Sequence, residues 1–264
     1  MTWTVMTFNL RNSSANDGDN AWPNRIGAAA ATIRAHAPSL FGIQEGFLHM
    51  LEELNALLPD YAWIGEGRGG GTEDEHCAIF YRRADFDLLE QGQFWLSETP
   101  EQAGSVSWDS SLPRICTWGR FRAAGSPERE IAVYNTHLDH IGEQAREQGM
   151  RLVLRSMARE GQDRPAILMG DFNAEPGDRV IRFLRGQTDI DGDRSELTDA
   201  YAALDAAPGR TFHDFRGGTE GEPIDYLFVN AQLTVSAVQV DRGIVDGRYP
   251  SDHYPVIARI APRA

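Results

Sequence analysis

Strand-length apolar runs that end on a polar or ionisable residue recur along this chain, and no other feature constrains its fold as much. In "ILMGDFNAEPGD" (167–178) an apolar run leads straight into Asp171, Asn173 follows two positions later, and Pro176 and Gly177 then break the chain. The same pattern closes "WTVMTFN" at Asn9, "SLFGIQE" at Glu45 and "EIAVYNTHLD" at His137 and Asp139, with His140 next. Asp225 lies in "EPIDYLFVN", and Asp252 and His253 in "SDH". Burying a charge is costly unless it is paired or bound to metal. Strand side chains alternate, so Asp171 and Asn173 point the same way if the strand extends that far. Taken singly, each residue also has a local role open to it. Asn9 and Asp171 can form turns, Glu45 can cap the next helix, His137 can be a satisfied core histidine, and Asp225 can bond a backbone N–H. Repetition favours convergence, because polar groups gathered at one place satisfy one another around a cation.

The rest of the chain supplies the frame. Strands are predicted at 3–9, 39–45, 61–65, 76–82, 86–97, 114–123, 130–139, 165–172, 224–230, 233–241 and 254–261. Helical spacing runs through Ile26, Ala29, Ala30 and Ile33, through Phe47, Met50, Leu51 and Leu54, and through Ala145, Gly149, Val153 and Met157. The order is βαβα, then strands of antiparallel character, then α, β and more strands. That order predicts an α/β domain spanning 1–264, with two packed sheets and helices outside. "GEGRGG" (65–70) matches a dinucleotide-binding pattern, but "GTEDEH" follows it instead of an apolar helix, so it reads as a mobile loop. "TFN" at Asn9 and "DFN" at Asn173 form an echo that hints at a duplicated half.

Composition removes several classes. No apolar run approaches the roughly 18 residues of a membrane span. The N-terminus lacks the basic and apolar regions of a signal peptide, so a cytoplasmic, monomeric protein is expected. The two cysteines, Cys77 and Cys116, sit in apolar runs and are expected to be free and buried. The net charge of −14 argues against strong non-specific binding to duplex DNA. All 25 basic residues are arginine. Lysine Schiff bases and Walker-type phosphate sites are therefore excluded, and any phosphate contact must come from Arg, His, backbone N–H or metal.

The donor types narrow the chemistry. Glu45 and Asp252 are hard oxygen donors with Asn9 beside them, a set suited to Mg²⁺ or Mn²⁺. Asp171 or His253 can position and deprotonate a water, His137 and Asn173 can bond phosphate oxygens, and Asp225 can fix the His253 tautomer. Arg114 can clamp a phosphate bidentately, and His140, Trp22 and Trp118 can line a cleft. "NTHLDH" (135–140) also approaches the HxHxDH signature of zinc-dependent metallo-β-lactamase-type hydrolases, with Asn135 in place of the first His.

As a set, "TFN", "IQE", "NTHLD", "GDFN", "IDYLFV" and "SDH" resemble, in order and from end to end, the endonuclease/exonuclease/phosphatase (DNase I-like) superfamily. The resemblance implies a four-layer αββα sandwich and a Mg²⁺-dependent phosphoesterase, acting as phosphodiesterase or phosphomonoesterase on a phosphoester substrate. It implies that Glu45 ligates metal with help from Asn9 and Asp252. It also implies that His253 with Asp225, together with Asp171, carries the base and transition-state roles, and members differ over whether Asp171 or His253 is the base. Abasic-site endonucleases tend to carry Tyr where this chain has His137, whereas DNase I and sphingomyelinases carry His. "NAWPNR", "PRICTWGRF" and "NTHLDH" look like a bacterial branch. A non-catalytic binding module on the same fold is the alternative, against which the intact set of site residues argues.

Overall fold

In the computed structural model, which describes residues 2–126, 128–159, 161 and 164–263, the apolar runs become strands and the helical spacings become helices. In chain order these are β1 (Trp3–Asn9), α1 (Trp22–His36), β2 (Leu40–Gln44), α2 (Leu48–Leu57), β3 (Tyr61–Ile64), β4 (Ile79–Arg82), β5 (Phe86–Trp95) and β6 (Ile115–Ala123). There follow β7 (Glu130–His137), α3 (Glu143–Arg159), β8 (Ala166–Asp171), α4 (Arg179–Leu184), β9 (Thr198–Asp199), β10 (Asp225–Val229), β11 (Leu233–Val240) and β12 (Val256–Pro262). They form two packed mixed sheets, ordered β11-β12-β1-β2-β4-β3 and β5-β6-β7-β8-β10-β9. With helices outside, the fold is the four-layer α/β sandwich.

Each sheet holds one parallel pair, β1 with β2 and β7 with β8, joined by the crossover helices α1 and α3. The other pairings are antiparallel. This topology gathers the polar strand ends. The parallel pairs finish level, Asn9 beside Gln44 and His137 beside Asp171. The antiparallel neighbour β10 begins there, with Asp225 opposite Asp171. β12 also runs antiparallel to β1, so the residues preceding it, including Asp252 and His253, come to the same edge. The two sheets repeat one topology, but the "TFN"/"DFN" echo does not mark it. By position β1 corresponds to β7 and β2 to β8, so Asn9 matches His137 rather than Asn173.

Alternation along β1 decides which way its end points. Trp3 and Val5 face the core between the sheets, Met6 and Phe8 face the core under α1 and α2, and Asn9 follows the first set inward. Asn135 bridges the sheets, accepting from Gln44 Nε2 at 2.7 Å and donating to the carbonyls of Ile43 and Ala78 at 2.8 Å each. It is thus an interior structural amide in the position where the zinc signature would place its first ligand. Trp22 belongs to the α1–α2 core and Trp118 packs against the main core, so neither lines the cleft. Both cysteines are free and buried. The strand expected at 76–82 is shorter because His76 bridges to Gly46 and Gly67 before β4 starts. α4 and β9, too short to show a period, were not expected. Among the described residues, no helix is long and apolar enough to cross a membrane.

Arg25 of "NAWPNR" is almost fully buried and holds the site edge together from behind. It donates to the carbonyls of Leu10, of Arg11 at 2.6 Å, of Asn20 at 2.8 Å and of Pro250 at 3.2 Å. The chain after β1 is thereby tied to the chain before Asp252. Removing these donors strands buried carbonyls, each at a cost of about 1–3 kcal/mol. Arg25→Met is therefore expected to lower the unfolding free energy by about 2–4 kcal/mol in urea denaturation. A loss below about 0.5 kcal/mol would show that water replaces the guanidinium and that the clamp is dispensable.

Candidate active site

The strand ends form the floor and walls of a cleft of about 440 Å³, lined by Glu45, Arg114, His137, His140, Asp171, Asn173, Asp252 and His253 among others. Asn9 and Asp225 lie beneath it, bonded to residues of the wall. Asn9 Nδ2 donates to Glu45 Oε1 and to Asp171 Oδ2, each at 2.9 Å, so one amide ties carboxylates of both sheets. Its Oδ1 accepts from the Arg11 backbone N–H at 2.9 Å.

Glu45 follows β2 with φ 60°, a left-handed conformation uncommon for a residue other than glycine. The turn carries its carboxylate inward, where Oε2 accepts from the Asn12 backbone at 2.9 Å and from the Asn12 side chain at 2.8 Å. Burial pushes the Glu45 carboxyl up, but the bonds from Asn9 and Asn12 and the nearby His253 outweigh it, so it stays below the usual range. Asn173, with φ 47°, makes a comparable turn after β8. Its backbone N–H donates to Asp171 Oδ1 at 2.9 Å, and its Nδ2 donates to His137 Nε2 at 2.9 Å and to the Leu138 carbonyl at 3.0 Å.

The two site histidines have opposite electrostatics. His253 Nδ1 lies 2.9 Å from Asp225 Oδ2, and its Nε2 lies 3.8 Å from Asp171 Oδ2. Burial lowers its pKa, but Asp225, Asp171 and Asp252 together raise it well above the ordinary value. His137 is held well below its ordinary value by burial, with Arg114 and His253 adding to the effect. Because the Asn173 amide is fixed by Leu138, it donates to His137 Nε2 and leaves that ring neutral with its proton on Nδ1. The 3.5 Å approach of His137 Nε2 to Asp171 is therefore not an ion pair. Burial and the charge of Asp225 push Asp171 up to about 7. Asp252 is raised as well, first by burial and then by Glu45, whose repulsion opposes the attraction of His253 and Arg11.

Asp171, Asp225 and His253 are the cluster among the described residues whose ligand atoms lie within 4.8 Å of one another. Asp225 Oδ1 is buried there without a hydrogen-bond partner. The set expected for the zinc-type reading does not assemble. Asp139 is taken up by Ser111, by the Ile141 and Gly142 backbone N–H groups and by Arg114 at 3.4 Å. Arg114, itself buried, also reaches His140 Nδ1 at 3.1 Å, and both line the cleft. Sequence reasoning missed Arg11, Asn12, Arg68, Glu75 and Phe212, which line the same cleft. Arg68 lies in "GEGRGG", read from sequence as a mobile loop and folded here as a hydrogen-bonded double turn; its clustered glycines were the signal available.

A two-sheet sandwich with buried carboxylates, a His–Asp dyad and arginines at one edge defines a class of hydrolase-like α/β proteins. The chain belongs to the Endonuclease/Exonuclease/phosphatase family, whose profile matches residues 6–253. It is similar to a family protein from Bacteroides thetaiotaomicron of known structure, at 35% identity and TM-score 0.91 over 100% of this chain and 99% of that one. It is also similar to a mannosyl-6-phosphatase of Bacteroides thetaiotaomicron, at 36% identity and TM-score 0.89 over 98% and 99% of the two chains. Drosophila melanogaster Nocturnin is 27% identical over 69% of this chain. The chain spans about a third of the length of the curated relatives it matches, 32% and 39%.

Proposed function

We propose that the protein is a Mg²⁺- or Mn²⁺-dependent phosphoesterase that hydrolyses a compact, sugar-type phosphomonoester. The observation that carries this reading is a pair of buried hydrogen-bonded groups at the floor of an arginine-flanked cleft, Glu45–Asn9–Asp171 and Asp225–His253, with His253 Nε2 3.8 Å from Asp171 Oδ2. Phosphoryl transfer needs positioning and charge stabilisation above all. The mannosyl-6-phosphatase relative supports the substrate class. So does the lining, where only Leu112, Phe212 and Ile224 are apolar.

Glu45 and Asp252, hard oxygen donors on the cleft wall, would hold the divalent ion, and the ionised state of Glu45 fits that task. Asn9 helps by holding Glu45, since its own amide oxygen is taken by Arg11. When bound, such an ion neutralises charge on the phosphate oxygens. Asp171, whose carboxyl is raised by burial and the charge of Asp225, orients the attacking water and takes its proton. His253, kept protonated by Asp225, donates to a phosphate oxygen, while Asn173 and neutral His137, bonded to each other, fix the wall beside it. Arg114 and His140 face the substrate from the cleft wall.

The test is a panel of p-nitrophenyl phosphate, bis-p-nitrophenyl phosphate, mannose 6-phosphate and single- and double-stranded DNA, each with Mg²⁺, Mn²⁺ or EDTA. The expected outcome is phosphate release from the monoesters with Mg²⁺ or Mn²⁺, none with EDTA, and little cleavage of duplex DNA. Activity restored by zinc alone would return the zinc-type reading. Absence of turnover on every substrate would favour a binding module.

A further inference from the structure

The segment 65–76 takes no part in the chemistry above, yet it is closely hydrogen-bonded within itself at the cleft. Gly67 N–H donates to the Gly71 carbonyl at 2.8 Å, Gly70 to Gly67 at 2.9 Å, and Gly69 to Glu73 at 3.1 Å. A Cβ at Gly67 would fall 1.8 Å from the Glu73 carbonyl oxygen, so this fold-back requires glycine there. Two outside bonds dock the segment. Trp95 Nε1 donates to the Arg68 carbonyl at 2.7 Å, and His76 N–H donates to the Gly46 carbonyl at 2.8 Å, next to Glu45. The result is a rigid arm that turns two charged side chains inward. The Arg68 side chain is 10% exposed, its Nε lies 3.0 Å from Asp74 Oδ1, and one of its terminal nitrogens lies 3.0 Å from Glu75 Oε2. Ion pairs removed from solvent are poor stabilisers, because desolvation offsets their attraction. Asp74 holds one edge of the guanidinium, and the remaining donors and Glu75 line a substrate-sized cleft.

Their position along the cleft says which part of a substrate they meet. Asp171 sits beside the His253 dyad, Asn9 links Asp171 to Glu45, and Glu45 is grouped with Arg68, Glu75 and Arg114 on the cleft wall. In-line displacement puts the leaving oxygen opposite the attacking water. A water held by Asp171 thus directs the leaving group toward the Glu45 side of the cleft. The aromatic face available in the cleft is elsewhere, with Phe212 packed 5.1 Å from the His253 ring.

Resting on the phosphoesterase reading, we propose that Arg68 and Glu75, with Arg114 beside them, form the subsite for the leaving alcohol and that this alcohol is polyhydroxylated. The guanidinium donates to one hydroxyl oxygen and the carboxylate accepts from a neighbouring hydroxyl, a pairing that an aryl group without hydroxyls cannot satisfy. Sites built to bond a hydroxyl discriminate strongly against analogues that lack it.

The experiment measures kcat and KM of the Mg²⁺-loaded wild type, Glu75→Gln and Arg68→Lys with mannose 6-phosphate and with p-nitrophenyl phosphate. Melting temperatures and Mn²⁺ affinities are measured in parallel. The expected result is a fall of about 10–100-fold in kcat/KM for the sugar phosphate. That fall should exceed the fall for p-nitrophenyl phosphate by about tenfold or more, with Mn²⁺ affinity within about twofold of wild type. Arg68→Lys keeps the charge but loses the fork, and it carries the same test should Glu75→Gln fold poorly. Equal losses on both substrates would overturn the subsite and assign the pair to the chemistry, and a fall in Mn²⁺ affinity would assign Glu75 to the metal. A wild type that cleaves p-nitrophenyl phosphate but not the sugar phosphate overturns the subsite and the sugar-type substrate, and leaves the phosphoesterase reading standing. One that cleaves neither overturns the phosphoesterase reading, and the subsite with it.

Discussion

His253→Ala is expected to lower turnover by roughly 10²–10⁴-fold, the usual scale for a positioned proton-transfer or charge-stabilising group. The imidazole is buried, bonded through Nδ1 to Asp225 at 2.9 Å, and held protonated by the surrounding carboxylates. Its Nε2 is the atom that faces the cleft near Asp171, at 3.8 Å from Oδ2. Asp225→Asn should keep the fold and metal affinity while lowering turnover, because Asn cannot hold the imidazolium. If the two residues act as a unit, the double substitution should be barely worse than His253→Ala alone, since effects within a unit are non-additive. A purely structural Asp225 would behave differently, losing melting temperature while turnover per folded molecule stayed near wild type. Turnover, melting temperature and metal affinity on the three variants decide the matter, and fully multiplicative losses would mean that no dyad exists.

Gly170→Ala is expected to cost about 3–5 kcal/mol in stability, at the upper end for a single substitution. Gly170 has φ +153°, and an added Cβ would lie 1.9 Å from the Thr136 carbonyl oxygen of the paired strand β7. That oxygen is backbone and cannot rotate away, so β7 and β8 must separate. Asp171 and His137, which end those strands side by side, would separate with them. Urea denaturation and turnover should therefore fall together. A variant within about 1 kcal/mol of wild type would show that the strands part cheaply. The glycine of "GDFN" is thus explained by close backbone approach, which a sequence pattern alone does not reveal.

The polar strand ends were legible because the period of a strand is local. Val5 and Asn9 share a face whatever the rest of the chain does, and an apolar run that stops at Asp171 or Glu45 announces its own exit. The residue types found there also limit the chemistry, since a chain without lysine and with carboxylates, amides and imidazoles at its strand ends has few reactions open to it. The loops were not legible in this way. Arg68 read as part of a mobile glycine loop and Glu75 drew no role, because their burial depends on Trp95 and Gly46, which are distant in sequence.

The sequence by itself determined the longer strands and helices, their order, and the polar residues at the strand ends. Those follow from side-chain period and from the cost of burying unpaired groups. Only the tertiary structure decided that Asn9 links Glu45 to Asp171 across 36 and 162 positions of chain, and that Asp225 meets His253 rather than a backbone N–H. It also decided that Asn135 spans the sheets while His137 two residues later reaches the cleft. Pairings of that kind are set by sheet register and by left-handed turns such as those at Glu45 and Asn173, and these arise when distant segments pack against one another.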